Sequence, residues 1–318
     1  MNVRTVALMS LFLAALAACR AHPTAREPDV LALAPVFGPI VENEVIAGRA
    51  EDEDGVWLLV GGTDLVRVDL AAQRVRRAAI KLDPGERCWG LARLHDGSLW
   101  TLRGRHAVIQ IAPDGIVKRE ASLAEPHLGL FGAADRLVYQ QASFTPPGPA
   151  LRAGAPGDAG TVPWSEMTTR AFSTIARAPA VALNMVACGG SARAERPCWF
   201  PDEAVVSLID SRGATRRIAL PGLDLVSPEI LLTAENPARP VRDAYLDREG
   251  RIWVLSSGTP PPGGADRPGG WILARYAADG AADGLARLQD SARLILRVES
   301  GRVLLLSGRG HVAAVTPW

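Results

Sequence analysis

Aromatic side chains make up only 5% of this 318-residue chain, and eight of those rings are Trp. Lysine is confined to Lys81 and Lys118, and asparagine to Asn2, Asn43, Asn184 and Asn236. A surplus of one charge is missing too: 35 Lys and Arg stand against 34 Asp and Glu, and without residues 1–18, which carry only Arg4, the balance is zero. Holding nucleic acid requires a basic surplus, so that class is excluded. What is abundant is apolar and turn-forming: 48% hydrophobic residues, 31 Gly and 24 Pro. Such a chain buries a sizeable core in one or two domains, which excludes a disordered or fibrous protein. Many punctuating residues with few aromatics read as many short strands joined by turns.

The start of the chain reads as an address. Arg4 precedes a run, 6–18, that is apolar or small apart from Ser10. A run of 13 is too short for a bilayer core of about 30 Å, which takes about 20 helical residues, but it fits a secretory signal. Its end, Leu16-Ala17-Ala18-Cys19, resembles the lipobox of bacterial lipoproteins, an ordinary signal with an incidental Cys being the alternative. The resemblance implies acylation of Cys19 as the new N-terminus and attachment to the membrane by that lipid anchor. Arg20 in place of the Asp that holds such proteins in the inner membrane implies the outer membrane, facing the periplasm. Residues 1–18 are thus expected as signal peptide, 19–32 as a lipidated tether rich in Pro and charge, and 33–318 as one domain.

That domain repeats. Residues 91–123 show an apolar strand, Asp96-Gly97, Ser98-Leu99-Trp100-Thr101-Leu102, Ala107-Val108-Ile109-Gln110-Ile111, Asp114-Gly115 and a last strand. Asp-Gly between alternating apolar runs is a hairpin signal in which both central residues can take positive φ. The second-strand element recurs at 55–59, 135–139, 197–200, 250–254 and 301–305, which makes six copies. About 300 residues over six copies gives about 50 each, within the range of a propeller blade. The last copy ends one strand short, and 33–40 is apolar enough to supply it by pairing with 311–316. The fold class expected is all-β: a six-bladed β-propeller of four-stranded antiparallel blades, closed by that N-terminal strand. A β-sandwich also uses short strands and frequent turns, but not a four-strand unit repeated at this spacing.

The unit Asp96-Gly97-Ser98-Leu99-Trp100-Thr101-Leu102 followed by Val108-Ile109-Gln110-Ile111-Ala112-Pro113-Asp114-Gly115 resembles the blades of NHL-repeat, gluconolactonase-like and streptogramin-lyase-like propellers. These folds host unrelated activities. The lactonase resemblance implies a divalent cation such as calcium on the axis, held by hard oxygen ligands. Its weak candidates are Asn184, followed by Met185 where the family has Gly, and Asp243, one place beyond Arg242 at the family's Asp position. A one-residue slip turns a strand side chain to the other face, so no metal and no cofactor is the expectation. The lyase resemblance implies a His on the axis as base. His127, placed at the start of a first strand, is the one His suited to test; it and Asp243 are separate candidates for a catalytic role that the sequence leaves unknown.

Cys188 and Cys198 flank a hairpin loop longer than its siblings and are expected to form a disulfide in an oxidising compartment, while Cys88 is expected as a buried free thiol. Trp57, Trp100, Trp199 and Trp253 read as one repeated packing position. Segments 165–180, 226–240 and 258–270 exceed the blade pattern, the last through Pro260, Pro261, Pro262 and Arg267. Loops on a rigid scaffold are where binding sites form. The functional expectation is a monomeric, lipid-anchored module of the cell envelope that binds or scaffolds a protein, peptide or glycan. The alternative is a hydrolase or lyase at the central channel.

Overall fold

The computed structural model describes residues 29–42, 44–141, 148–158, 160–168, 186–200, 203–223, 239–257 and 271–317. Cys19, Asn184, Pro260, Pro261, Pro262 and Arg267 lie outside the described residues. The first two strands are β1 (Asp29–Leu31) and β2 (Ala34–Phe37). Four consecutive antiparallel strands then make each of three sheets. The first is β3 (Ile46–Glu51), β4 (Gly55–Val60), β5 (Asp64–Asp69) and β6 (Arg74–Ala79). The second is β7 (Cys88–Arg93), β8 (Leu99–Arg103), β9 (Ala107–Ile111) and β10 (Val117–Ser122). The third is β11 (Gly129–Ala133), β12 (Arg136–Gln140), β13 (Leu151–Gly154) and β14 (Val162–Pro163).

The fourth sheet is β15 (Ala187–Cys188), β17 (Arg196–Trp199), β18 (Val205–Ile209) and β19 (Thr215–Ala219), and between its first two strands the short β16 (Gly190–Ser191) crosses to the next sheet. The fifth sheet, β20 (Arg239–Leu246), β21 (Ile252–Ser257), β22 (Trp271–Tyr276) and β23 (Ala282–Leu288), accepts β16 on its inner edge and β1 on its outer edge, both parallel. The sixth is β24 (Ala292–Glu299), β25 (Arg302–Ser307) and β26 (Val312–Val315), and its fourth strand is β2, with Ala34 opposite Ala314. The expected pairing of 33–40 with 311–316 is therefore present. β1 is a correction: residues 29–31, read as tether, are strand, because Leu31 and Leu33 pack into the apolar cluster beneath the fifth and sixth sheets.

The Asp-Gly turns form where expected, with a different geometry. At Asp96-Gly97 only Gly97 has positive φ, 82°. Its N–H donates to Leu94 O at 2.9 Å and the Leu94 N–H donates to Ser98 O at 3.0 Å, a three-residue turn closed by a left-handed glycine. The Asp96 carboxylate accepts from the N–H and hydroxyl of Ser98, which fixes the turn.

Six apolar clusters lie one between each successive pair of sheets, and the sixth unites Leu304 and Leu306 of β25 with Val56 and Leu58 of β4. A sheet packed on both faces buries both sides of its inner strands, so Gly55–Val60 is buried throughout and shows no polar alternation. The fourth strands are the exception: Arg74, Arg76 and Arg77 of β6 and Lys118 and Arg119 of β10 are solvent-exposed, as their charge demands.

Candidate functional site

The innermost strands β3, β7, β11, β15, β20 and β24 all contribute to one cavity of about 400 Å³. Four of the six carry a break in ladder register near it: between Ile46 and Gly48, Trp89 and Ala92, Arg239 and Asp243, and Ala292 and Leu294. Bulges re-aim side chains and are common beside functional sites. In β20 the bulge brings both Arg242 and Asp243 to the cavity, so the slip that the sequence suggested does not separate them.

On one side the inner strands touch backbone to backbone. A Cβ on Gly48 would lie 2.5 Å from Gly90 C, and one on Gly90 would lie 2.2 Å from Leu130 N. The Thr101 hydroxyl donates to Gly90 O at 2.7 Å and so satisfies a carbonyl that the bulge removes from the ladder.

Charged side chains meet at the cavity: Arg49, Arg196 and Asp243 line it, and Glu51 joins Arg49 to Arg196. Arg49, 8% exposed, donates through one terminal nitrogen to Asp243 Oδ2 at 2.7 Å and to Ile295 O at 3.0 Å, and through the other to Ala244 O at 3.1 Å. Its Nε lies 3.5 Å from Glu51, whose other oxygen lies 3.3 Å from Arg196. Burial works against the Arg49 charge, but Asp243 and Glu51 outweigh it and hold the guanidinium above its ordinary pKa. The Ile295 N–H also donates to Asp243 Oδ2, at 2.7 Å. Asp243 is thus occupied in holding β20, β24 and β3 together. Among the described residues no group of three His, Cys, Asp or Glu side chains is placed to hold a metal ion.

Apolar side chains rim the same cavity. Trp89 is 40% exposed and Val45 66% exposed, both unusual for large apolar residues in this molecule. Phe131 and Trp199 form its buried wall. Trp199 corrects the expectation of one repeated position. Trp57, Trp100 and Trp253 face Arg67, Gln110 and Arg275 on their third strands, but in the fourth sheet that place belongs to Pro197, opposite Leu208. Trp199 sits two residues further along, its N–H donating to Val241 O at 2.9 Å, so its ring reaches the cavity.

His127 lies two residues before β11 and is not among the side chains lining the cavity. It is buried against Tyr139, ring centroids 4.7 Å apart, and among the described residues its Nδ1 has no hydrogen-bond partner. Burial pushes its pKa down to about 4; Glu125 opposes this, while Arg152 and His106 reinforce it. The sequence placed it on the axis because it precedes an apolar run. The inward turn in fact begins at Leu128. Between the unfolded value of about 6.5 and about 4, the unfolded chain binds a proton that the native state refuses, so this group makes stability fall as pH drops through that window. His127→Phe should flatten that part of a stability-against-pH curve measured by denaturation; an unchanged slope would refute the assignment.

Cys188 and Cys198 are bonded as expected, directly opposite each other on β15 and β17, and Cys188 lines the cavity. A loop of this size is stabilised by roughly 2–3 kcal/mol through chain entropy. Cys88 is a free, buried thiol, which burial pushes up to about 12. The sequence reading missed Arg49, Arg196 and Trp89. An Arg beside Gly48 in the middle of a first strand, two residues before Glu51, is the signal that could have found the first of them.

The chain matches no family model and no curated protein sequence. In shape it is similar to streptogramin B lyase, with TM-score 0.53 and 11% identity over 91% of this chain and 97% of that one. It is also similar to a DUF4221 family member from Bacteroides vulgatus, with TM-score 0.51 and 10% identity over 91% and 96%. A third likeness is to YCF48 bound to D1 peptide, with TM-score 0.50 and 11% identity over 90% and 85%. At such identities likeness speaks for the fold alone. Together with the sheet order it makes this chain an all-β propeller of four-stranded antiparallel blades.

Proposed function

We propose that the protein is a binding module of the cell envelope, held at the outer membrane through a lipidated Cys19, and that the axial cavity is where it takes its protein or peptide partner. The six sheets are taken as six blades of one ring, closed where β2 completes the sixth sheet. The observation that carries the binding reading is the pairing of an exposed apolar rim, Trp89 and Val45, with a lining carboxylate, Asp243, that is engaged by Arg49. Concave sites with apolar walls and a few placed polar groups bind ligands, and exposed Trp is a typical anchor for a partner. A catalytic reading would need an unengaged acid or base in the cavity, and Asp243 serves Arg49 instead.

A photo-crosslinking side chain at Val45 in the anchored, full-length protein should yield a defined adduct in its own envelope. The same group at Val75, on the outer strand β6, should not. Trp89→Ala should reduce the Val45 adduct at least about tenfold, as loss of a hot-spot aromatic does. Equal adducts from both positions would refute the cavity as the binding site.

A further inference from the structure

The cavity holds more hydrogen-bond donors than its own acceptors use. Arg196 donates to Gly189 O at 2.8 Å and to Glu51 Oε2 at 3.3 Å, and its guanidinium lies over the Phe131 ring, 5.3 Å from the centroid. A guanidinium has five N–H groups, so three of those on Arg196 make no hydrogen bond among the described residues. Its side chain is 17% exposed, and it lines the cavity. Gln140 lines the same wall, its side-chain amide against Gly129 two residues before Phe131, and makes no side-chain hydrogen bond among the described residues.

Geometry and the neighbouring carboxylate set the kind of acceptor. Arg49 is already paired with Asp243 and Arg196 with Glu51, and the remaining N–H groups of Arg196 belong to a planar fork. A planar monoanion such as a carboxylate matches the fork of a guanidinium. A phosphate dianion would be set against Asp243, which lines the same cavity. Beside the donors lie Phe131, Trp199 and Trp89, which offer apolar and aromatic surface.

We propose that the ligand of the axial cavity presents a carboxylate next to an apolar group, the carboxylate received by Arg196 and Gln140 and the apolar group by Phe131, Trp199 and Trp89. The proposal rests on the binding reading above and adds the chemistry of the ligand. Two sources share that chemistry: the end of a peptide and a free organic acid.

The test measures binding of three probes to the folded protein by tryptophan fluorescence: N-acetyl-Leu-Phe with a free carboxylate, the same dipeptide as its C-terminal amide, and 3-phenylpropionate. The acid should bind at least about tenfold tighter than the amide, the factor that one charge-assisted pair supplies. The gap should close to within about twofold in Arg196→Gln and narrow in Gln140→Leu, a change that leaves the Glu51 ion pair in place. Binding of 3-phenylpropionate as tight as that of the dipeptide acid assigns the site to free organic acids; binding of the dipeptide acid alone assigns it to peptide ends. Equal binding of acid and amide would overturn carboxylate recognition while leaving cavity binding intact. No binding of any probe up to roughly 10 mM, a free energy too small for a specific site, would overturn it too, and the Val45 adduct then judges the wider reading separately.

Discussion

Gly90→Ala is expected to destabilise the protein by roughly 3–5 kcal/mol, the sum of a left-handed backbone that alanine resists and an overpacked contact. Gly90 has φ +68°, and its missing Cβ would fall 2.2 Å from Leu130 N and 2.8 Å from Leu130 O, both backbone atoms of the neighbouring inner strand. Neither can step aside without moving β11. Gly104 supplies the control, since it has φ +60° but nothing within 4 Å of its Cβ. Gly104→Ala should therefore cost only about 1 kcal/mol, the conformational part alone. The difference between the two, read from chemical denaturation midpoints, isolates the close approach of the inner strands. Equal costs would mean that β7 and β11 separate readily.

The second large effect is expected from Arg49→Met, at roughly 3–5 kcal/mol, the cost of stranding a buried charge. Asp243 is 4% exposed and would lose its cation, while Ile295 O and Ala244 O would each lose a donor. Burial already pushes the Asp243 carboxyl up, and Arg49 is the main pull against it. Without Arg49 the native state should bind a proton there at a pH where the unfolded chain, with a carboxyl near 4, does not. The variant should then gain stability as pH falls from 7 towards 5. Combining Arg49→Met with Asp243→Leu should recover most of the loss, because removing both partners removes the stranded charge. Additive losses in the double variant would show that the pair is not coupled.

The repeating parts of the fold were legible because each blade announces itself locally. Asp96-Gly97 and Asp114-Gly115 mark turns whose geometry depends on a few adjacent residues, and even there the turn type differs from expectation. The pairing of β2 with β26 was legible by subtraction, since one strand was missing at one end and available at the other. The site was not legible, for a physical reason: Arg49 and Glu51 of β3, Arg196 of β17 and Asp243 of β20 come from three different sheets and meet only once the sheets are placed around an axis. Nothing in the spacing of Arg49 and Asp243 links residues 194 positions apart. Trp199 misled because its neighbours in sequence resemble the repeat, while the ladder places Pro197 where the other sheets place Trp. His127 misled through a turn of the chain that occurs one residue later than its apolar pattern implies.

The pairings of β1 with β23 and of β2 with β26 also bear on time. In a chain made from its N-terminus, Ala34–Phe37 has no ladder partner until Val312–Val315 has been synthesised. Asp29–Leu31 waits similarly for Ala282–Leu288. The intervening sheets can each assemble from consecutive strands as they emerge, but these two early strands depend on the most distant contacts in the molecule, the kind that form slowly. Until then, Val30, Leu31 and Leu33 present an unpaired apolar edge, a surface that a holding chaperone would recognise and an aggregate would exploit.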